Sequence, residues 1–149
     1  MVSAAAELLD GLGDHPVLCV DTAPIIYWLE GHPTLAARFA GVFEAAEAGR
    51  AEIAISTVTL AEVLAGPLRH GDELLAGRYR EAMTRATGWR VIALDAETAV
   101  EAARIRATYR LRLPDAIQVA TAIRAGAAAL VTHDGELRRV RGLRVIGPG

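Results

Sequence analysis

Lysine is missing from this chain of 149 residues, and all 16 of its basic residues are arginine. Several phosphate chemistries use the compact ammonium group of lysine, and the planar guanidinium of arginine is not equivalent to it. The absence of lysine therefore counts against phosphoryl-transfer mechanisms that need one. The formal net charge of −2 neither favours nor excludes a nucleic-acid partner.

Cysteine is almost as scarce, since Cys19 is the only one in the chain. A lone cysteine cannot form an intrachain disulfide, and a zinc site built from cysteines is excluded. Cys19 stands within the apolar run VLCV. We therefore predict that it is a small buried hydrophobic side chain.

Long apolar runs are absent too. No stretch approaches the ~20 apolar residues that a membrane-spanning helix needs. The N-terminal sequence MVSAAAELLDGLGDHP has early acidic residues and no basic segment before an apolar core, unlike a signal peptide. We therefore predict a cytoplasmic protein without membrane association. The length suits one domain over residues 1–149, large enough to bury roughly 70% of its unfolded surface.

Apolar, strand-like runs alternate with helical patterns along the chain. The predicted strands cover residues 17–21, 51–56, 89–94, 128–132 and 143–146. The predicted helices start near residue 24 and then cover residues 35–48, 57–65, 72–86, 96–109 and 114–125, with a helical turn after Asp134. Residues 1–16 are predicted as a short helix or loose leader, residues 66–77 as the longest excursion, and residues 147–149 as a frayed tail. This alternation predicts an α/β fold, a three-layer α/β/α sandwich around a mostly parallel sheet of about five strands.

Four acidic residues follow the apolar runs or lie one helical turn beyond them, namely Asp21, Glu62, Asp115 and Asp134. Ligands of an open parallel sheet bind outside the carboxyl ends of its strands, so we expect the four carboxylates to converge there. Clustered carboxylates repel one another unless a cation lies among them, and oxygen ligands favour Mg²⁺ or Mn²⁺. The histidines are not spaced as a zinc set, and no serine–histidine pair is evident.

Each acid also has a structural interpretation. Asp21 and Asp134 are suitable helix N-caps, and Asp115 stands in a first helical turn, where the helix dipole favours negative charge. Glu62 follows Thr59 by three residues, as in a capping box. Taken together these interpretations are weaker, because Asp115 and Glu62 interrupt otherwise apolar helices. A charge in such a helix faces a cleft, pairs with an arginine or binds a metal.

The segments that carry the acids together resemble the PIN-domain ribonucleases, and especially the toxins of VapBC-type toxin–antitoxin pairs. The resemblance spans residues 17–146. VDTAPIIYWLEGHP is similar to the opening strand and first helix of the family, and STVTLAEVLAGP is similar to the segment with the glutamate. LRLPDAIQVATAIRAGAAALVTHDGEL is similar to the stretch with the third and fourth acids. The four acids in this order and at these spacings are specific to the family.

The resemblance implies a PIN-like fold, an acidic site with Mg²⁺ or Mn²⁺, and endoribonuclease cleavage of single-stranded RNA. It also implies a homodimer and a small antitoxin partner that covers the site. Asp21 and Asp115 match direct metal ligands, Glu62 a ligand or water-orienting base, and Asp134 a second-site or outer ligand. The small polar positions of the family site match Thr22, Ser56 and Thr132. His133 departs from the family, in which asparagine or arginine is common at this position, so its role stays open.

Two groups of arginines flank the acids in sequence. One group precedes Asp115 and the other follows Asp134; their members are Arg104, Arg106, Arg110 and Arg112, and Arg138, Arg139, Arg141 and Arg144. Guanidinium groups there could hold RNA phosphates around the acidic centre. We expect RNA contacts from Arg110, Arg112, Arg138 and Arg139. The alternative is a set of solvated helix faces, in which Glu97 and Glu101 pair with some of these arginines.

Two other functions stay open. The first is a non-catalytic RNA- or protein-binding module of the same fold, and the presence of all four acids counts against it. The second is aspartyl-phosphate phosphotransfer, as in phosphatases and receiver domains, for which LCVDTAP superficially suits a nucleophilic aspartate. The lack of lysine counts against the second.

Overall fold

Five parallel strands form a sheet in the computed structural model of the protein, which describes residues 4–147. The strands are β1 (Val17–Val20), β2 (Glu52–Ser56), β3 (Trp89–Ile92), β4 (Ala129–Val131) and β5 (Val145–Ile146). They lie in the order β3-β2-β1-β4-β5, and every neighbouring pair is parallel. The predicted α/β fold and the predicted strand number are confirmed.

Helices cover both faces of the sheet. They are α1 (Ala4–Leu9), α2 (Thr22–Glu30), α3 (Leu35–Glu47), α4 (Thr57–Arg69), α5 (Glu73–Thr84), α6 (Ala96–Tyr109), α7 (Leu113–Arg124) and a 3₁₀-helix, Gly135–Arg139. One apolar cluster joins α2, α3, α4 and α5 to one face of the strands, and a second cluster joins α6 and α7 to the other face. The molecule is therefore a three-layer sandwich, as predicted.

The sequence of strand β1 is apolar without interruption because the strand is buried on both faces. Leu18 and Val20 enter the first cluster, whereas Cys19 enters the second, and all three are fully buried. Successive side chains of a strand point to opposite faces, and both faces of this sheet are covered. The predicted burial of Cys19 is confirmed. Burial raises the pKa of its thiol to about 12, which keeps the thiol protonated and unreactive.

The predicted excursion over residues 66–77 is wrong. Helix α4 continues through Gly66 and Pro67 to Arg69, and α5 begins at Glu73, so that only residues 70–72 connect them. Pro67 is buried, and α4 packs along α5. This packing outweighs the low helix propensity of the Gly-Pro pair, which alone predicts a helix end.

Smaller corrections concern element ends. Strand β1 ends at Val20 because Asp21 caps α2, which begins at Thr22 rather than near Pro24. Strand β3 ends at Ile92, earlier than predicted. The predicted leader does contain a helix, α1, but residues 1–3 and 148–149 of the leader and tail lie outside the described residues. Between residues 4 and 147, no helix is both long and apolar enough to cross a bilayer.

The strand order places a crevice at the end of β1. Strands β2 and β3 are added on one side of β1, whereas β4 and β5 are added on the other. In open α/β sheets such a reversal leaves a crevice at the carboxyl ends of the two central strands, where ligands bind. Asp21 follows β1 and Thr132 follows β4, so both residues lie at this crevice.

Two glycine-to-alanine substitutions are expected to change stability in opposite directions. Gly88 precedes β3 with φ +84°, and an added Cβ would lie 3.1 Å from the carbonyl oxygen of Ala46. Gly88→Ala is therefore expected to lower the free energy of unfolding by more than about 1 kcal/mol. Gly77 lies in α5 with open space around it, so Gly77→Ala is expected to add ~0.5–1 kcal/mol. Urea unfolding measures the stability of both variants. A Gly88→Ala variant as stable as the original protein would contradict the left-handed φ of Gly88 and its close approach to Ala46.

Candidate active site

Asp21 lies where β1 ends at the crevice. Its backbone N–H donates to the carbonyl oxygen of Val131 in β4 at 2.8 Å. Its Oδ1 accepts the N–H of Thr22 at 2.7 Å, and its Oδ2 accepts the hydroxyl of Thr132 at 2.8 Å. The predicted N-cap position is confirmed. Two segments of the chain, the start of α2 and the end of β4, therefore fix the position of Asp21.

Burial raises the pKa of the Asp21 carboxyl above its usual value of 3.8. Hydrogen bonds from Thr132 and Thr22 act in the opposite direction, and the negative charges of Asp115 and Glu62 raise the pKa further. A carboxylate that is buried beside like charges is unfavourable unless something compensates it. Carboxylates perturbed in this way are concentrated at functional sites.

Glu62 reaches the site from α4. The Thr22 hydroxyl donates to its Oε1 at 2.9 Å. The predicted capping box is wrong, because α4 begins at Thr57 and its N-cap is Ser56, whose hydroxyl accepts the N–H of Val58 at 3.0 Å. Glu62 therefore lies in the second turn of α4, where capping does not require it.

Asp115 reaches the site from the first turn of α7, as predicted. Its Oδ2 accepts a hydrogen bond from Nε of Arg112 at 3.2 Å. The Asp115 side chain is only 13% exposed, whereas that of Arg112 is 81% exposed. An ion pair with such an exposed guanidinium is weak, and the charge of Asp115 still raises the pKa of Asp21.

Asp134 is linked to Asp21 through Thr132. Its Oδ1 accepts the N–H of Glu136 at 2.9 Å, which makes it the predicted N-cap, here of the 3₁₀-helix. Its own N–H donates to the Thr132 hydroxyl oxygen at 3.0 Å. Asp134 is not among the charges that raise the pKa of Asp21. The structure thus brings Asp21, Glu62 and Asp115 together electrostatically and links Asp134 through Thr132.

The donor chemistry of this site fits a hydrated hard cation. Within residues 4–147, no three histidine, cysteine, aspartate or glutamate side chains are arranged as a ready-made metal site. Each Asp21 oxygen nevertheless keeps a lone pair beyond the one it uses, and a cation would compensate its buried charge. Mg²⁺ retains several waters and is held by one or two carboxylates. The site therefore fits an open, partly hydrated ion rather than a closed cage.

A family model described as the PIN domain matches residues 18–143. This chain belongs to the PIN domain family. The matched residues include all four predicted acids, and the resemblance read from the sequence is confirmed. A search of curated proteins gives no match.

Several solved structures share the PIN fold of this chain. VapBC2 from Rickettsia felis, bound to a promoter DNA fragment, has a TM-score of 0.71 at 18% identity, over 88% of this chain and 98% of that one. A toxin–antitoxin complex from Klebsiella pneumoniae has a TM-score of 0.67 at 27% identity, over 89% and 98% of the two chains. VapC20 from Mycobacterium tuberculosis, a sarcin-ricin loop cleaving toxin, has a TM-score of 0.68 at 16% identity, over 88% and 99%.

Two buried polar residues lie next to this site, a position that the sequence did not predict for them. Gln118 in α7 is 1% exposed and donates from Nε2 to Oγ1 of Thr59 at 2.6 Å. Thr59 is fully buried, and its hydroxyl oxygen lies 3.2 Å from that of Thr22. One available signal was the amide of Gln118, which interrupts the apolar run of α7. Of the expected small polar residues, Thr22 and Thr132 contact the acids, whereas Ser56 caps α4.

His133 is held by an aromatic contact that the sequence did not predict. The Tyr27 hydroxyl lies 2.7 Å from Nδ1 of His133, although 106 positions separate the two residues. Their rings meet edge to face with centroids 5.4 Å apart, and Tyr27 also stacks on Phe39. Tyr27 therefore orients the exposed imidazole of His133, which stands between Thr132 and Asp134 in the sequence.

The arginines expected to bind RNA are all exposed, but their contacts differ. Arg112 pairs with Asp115, Arg138 donates to the carbonyl oxygen of Gly147 at 3.2 Å, and Arg110 ends α6 with a left-handed φ of 54°. Arg139 is exposed on the 3₁₀-helix. Glu97 pairs with Arg124, which lies outside both arginine groups.

Asp21→Asn is expected to stabilise the protein in the absence of divalent metal. Asparagine is as good an N-cap as aspartate, and the substitution removes a buried charge beside Asp115 and Glu62. Because folding raises the pKa of Asp21, the stability of the original protein should fall as pH rises from 3.8 through the folded pKa. The Asn variant should lack this decrease. Each kcal/mol that the substitution adds to the free energy of unfolding should raise Tm by about 2–4 °C in a chain of this size.

Thermal melts in EDTA across a pH series measure this effect. The matched control is Asp95→Asn, since Asp95 is an exposed N-cap whose pKa is lowered by hydrogen bonds from Thr98. This control should give no gain in stability. A lower Tm for Asp21→Asn than for the original protein at neutral pH would show that the buried charge is not destabilising.

Proposed function

We propose that this PIN domain is a metal-dependent endoribonuclease that cleaves single-stranded regions of RNA. The observation that carries the proposal is the Asp21 carboxylate, buried at the crevice and flanked by the charges of Glu62 and Asp115. Carboxylates arranged in this way suit a divalent cation that acts on a phosphodiester. VapC20, which shares the fold, is described as a toxin that cleaves the sarcin-ricin loop.

The proposed mechanism is in-line attack of water on the phosphodiester. Asp21 and Asp115 are the proposed ligands of Mg²⁺ or Mn²⁺, with Glu62 as a further ligand or as the base, and Asp134 as an outer ligand. A bound cation would lower the pKa of a coordinated water and neutralise charge on a phosphate oxygen. As a base, the Glu62 carboxylate, oriented by the Thr22 hydroxyl, would accept the proton of the attacking water. The P–O bond opposite the attacking water would break, and the departing ribose oxygen would take a proton from solvent. Thr132 keeps Asp21 in place while charge develops on the phosphate.

We further propose that the protein is the toxin of a toxin–antitoxin pair. Its neighbours in fold include VapBC2 and the Klebsiella complex, both of which contain an antitoxin. The proposed partner is a small antitoxin protein that covers the acidic crevice, and the proposed assembly of the toxin is a homodimer. A short reading frame for such a partner next to this gene would support the assignment.

A non-catalytic binding module is the second candidate function. It is favoured by the finding that, over the described part of the chain, no three candidate side chains are arranged as a metal site. The two functions differ in their response to metal. A nuclease site should gain stability from Mg²⁺ or Mn²⁺ by binding linkage, whereas the Tm of a binding module with inactive geometry should not respond.

Asp21→Asn is expected to reduce RNA cleavage by at least ~100-fold, because a catalytic cation supplies several kcal/mol of transition-state stabilisation. The assay incubates the purified protein and a single-stranded RNA with Mg²⁺ or Mn²⁺, and EDTA should stop cleavage. Asp95→Asn again serves as the control and should cleave like the original protein. Undiminished cleavage by Asp21→Asn would rule out the proposed site.

Arg139→Gln is expected to weaken RNA binding and to reduce its dependence on salt. Loss of one arginine–phosphate contact reduces the slope of the logarithm of the RNA binding constant against the logarithm of the salt concentration by about 0.7 for a single strand. Arg85→Gln is a suitable control, since Arg85 is an exposed residue that pairs with Glu81 at the end of α5. RNA binding by catalytically inactive Asp21→Asn protein, measured over a salt series, tests both variants. Equal slopes for Arg139→Gln and Arg85→Gln would exclude a contact between Arg139 and an RNA phosphate.

A further inference from the structure

A row of polar groups leads from the core to Glu62. The Gln118 amide donates from Nε2 to Oγ1 of Thr59 at 2.6 Å, and the hydroxyl oxygens of Thr59 and Thr22 lie 3.2 Å apart. The Thr22 hydroxyl then lies 2.9 Å from Oε1 of Glu62, to which it donates. These residues belong to α7, α4 and α2. We call this row the Gln118–Glu62 relay.

Because each threonine hydroxyl has one proton, the order in which the groups of the relay donate hydrogen bonds is determined. A threonine hydroxyl has a single proton to donate and two lone pairs. The Thr22 proton goes to Glu62, because a carboxylate is the stronger acceptor and the shorter contact. The Thr59 hydroxyl oxygen accepts a hydrogen bond from the Gln118 amide. The Thr59 hydroxyl in turn donates its proton to the hydroxyl oxygen of Thr22. Each of the two hydroxyls thus accepts one hydrogen bond and donates the next, and the hydrogen bonds of such a chain polarise one another.

The amide of Gln118 is unfavourable for the fold itself. The residue is 1% exposed, and within residues 4–147 its Oε1 has no hydrogen-bond partner. A buried acceptor without a partner lowers the stability of the folded protein, whereas an apolar side chain of the same shape carries no such penalty. The hydrogen bond from Nε2 of Gln118 to Thr59 therefore explains the presence of an amide at this position better than packing does.

The position of Gln118 on α7 connects the two helices that carry Glu62 and Asp115. Asp115 stands one turn before Gln118 on the same helix. Glu62 is an exposed residue of α4, and a long exposed side chain populates several rotamers unless a contact selects one. The relay selects one orientation of Glu62 and ties it to the helix of Asp115.

We propose that Gln118 is a positioning residue that orients the Glu62 carboxylate through Thr59 and Thr22. The inference rests on the proposed function, in which Glu62 acts as a ligand or base. Gln118 touches neither substrate nor cation in this scheme. It sets the orientation in which Glu62 faces the crevice beside Asp21.

Three substitutions and one control test the relay. Gln118→Met removes the amide and keeps the volume, and Thr59→Val removes the hydroxyl in the middle of the row. Thr59→Ser keeps that hydroxyl and should restore the original behaviour. The control, Thr121→Val, removes another buried hydroxyl of α7, which donates to the carbonyl oxygen of Ile117 in its own helix at 2.7 Å.

The first readout is independent of metal and RNA. In the metal-free protein at constant pH, the ¹³C signal of the Glu62 side-chain carboxyl should shift in Gln118→Met and Thr59→Val. It should stay near its original position in Thr59→Ser and Thr121→Val. The Tm of Gln118→Met should be unchanged or higher, because an acceptor without a partner is removed. A merely structural role would instead lower Tm and leave the Glu62 signal in place.

The second readout is Mn²⁺ affinity, measured by calorimetry. Gln118→Met should bind Mn²⁺ about tenfold more weakly, which is the usual effect of losing a residue that orients a metal ligand. An unmoved Glu62 signal in both Gln118→Met and Thr59→Val, or a Mn²⁺ affinity of Gln118→Met within about twofold of the original, would overturn the proposal. If the signal moves but the original protein neither binds Mn²⁺ nor cleaves RNA, the relay is supported and the nuclease proposal fails.

Discussion

A negative charge buried at the carboxyl end of the central strand is the constraint on which this site depends. Asp21 cannot move away from the crevice, because its backbone continues the β1–β4 pairing and its side chain caps α2. Burial and two neighbouring acids oppose ionisation of the carboxyl and raise its pKa. The fold therefore gives up stability at one point, as proteins commonly do at functional sites.

Hydrogen bonds from neighbouring threonines orient Asp21 and partly offset the burial and the like charges that oppose its ionisation. Thr22 serves two acids at once, since its N–H binds Asp21 and its hydroxyl binds Glu62. Thr132 likewise donates to Asp21 and accepts from the N–H of Asp134. The N-terminus of α2 adds a favourable dipole for the negative charge. Two threonines thus connect three of the four acids, and Asp115 acts on Asp21 through its charge.

Much of the fold could be predicted from the sequence, because strands buried on both faces are uninterrupted apolar runs such as VLCV. The error at Pro67 arose because local propensity predicts a helix end, whereas packing between α4 and α5 decides the outcome. Asp21 and Asp134 were recognisable by their places after strands, and Glu62 and Asp115 by the charge that each brings to an otherwise apolar helix. The contact of Gln118 with Thr59 spans 59 positions and that of Tyr27 with His133 spans 106. A single sequence has no local signal for such pairs.

Location of the cation tests the central claim most directly. Crystals of the protein soaked in Mn²⁺, with diffraction data collected at the manganese absorption edge, give the ion position without assumptions about activity. We expect an anomalous peak about 2.1 Å from a carboxylate oxygen of Asp21, on the side of the crevice that faces Asp115 and Glu62. A peak bound elsewhere, or no peak beside Asp21 at saturating Mn²⁺, would contradict the account.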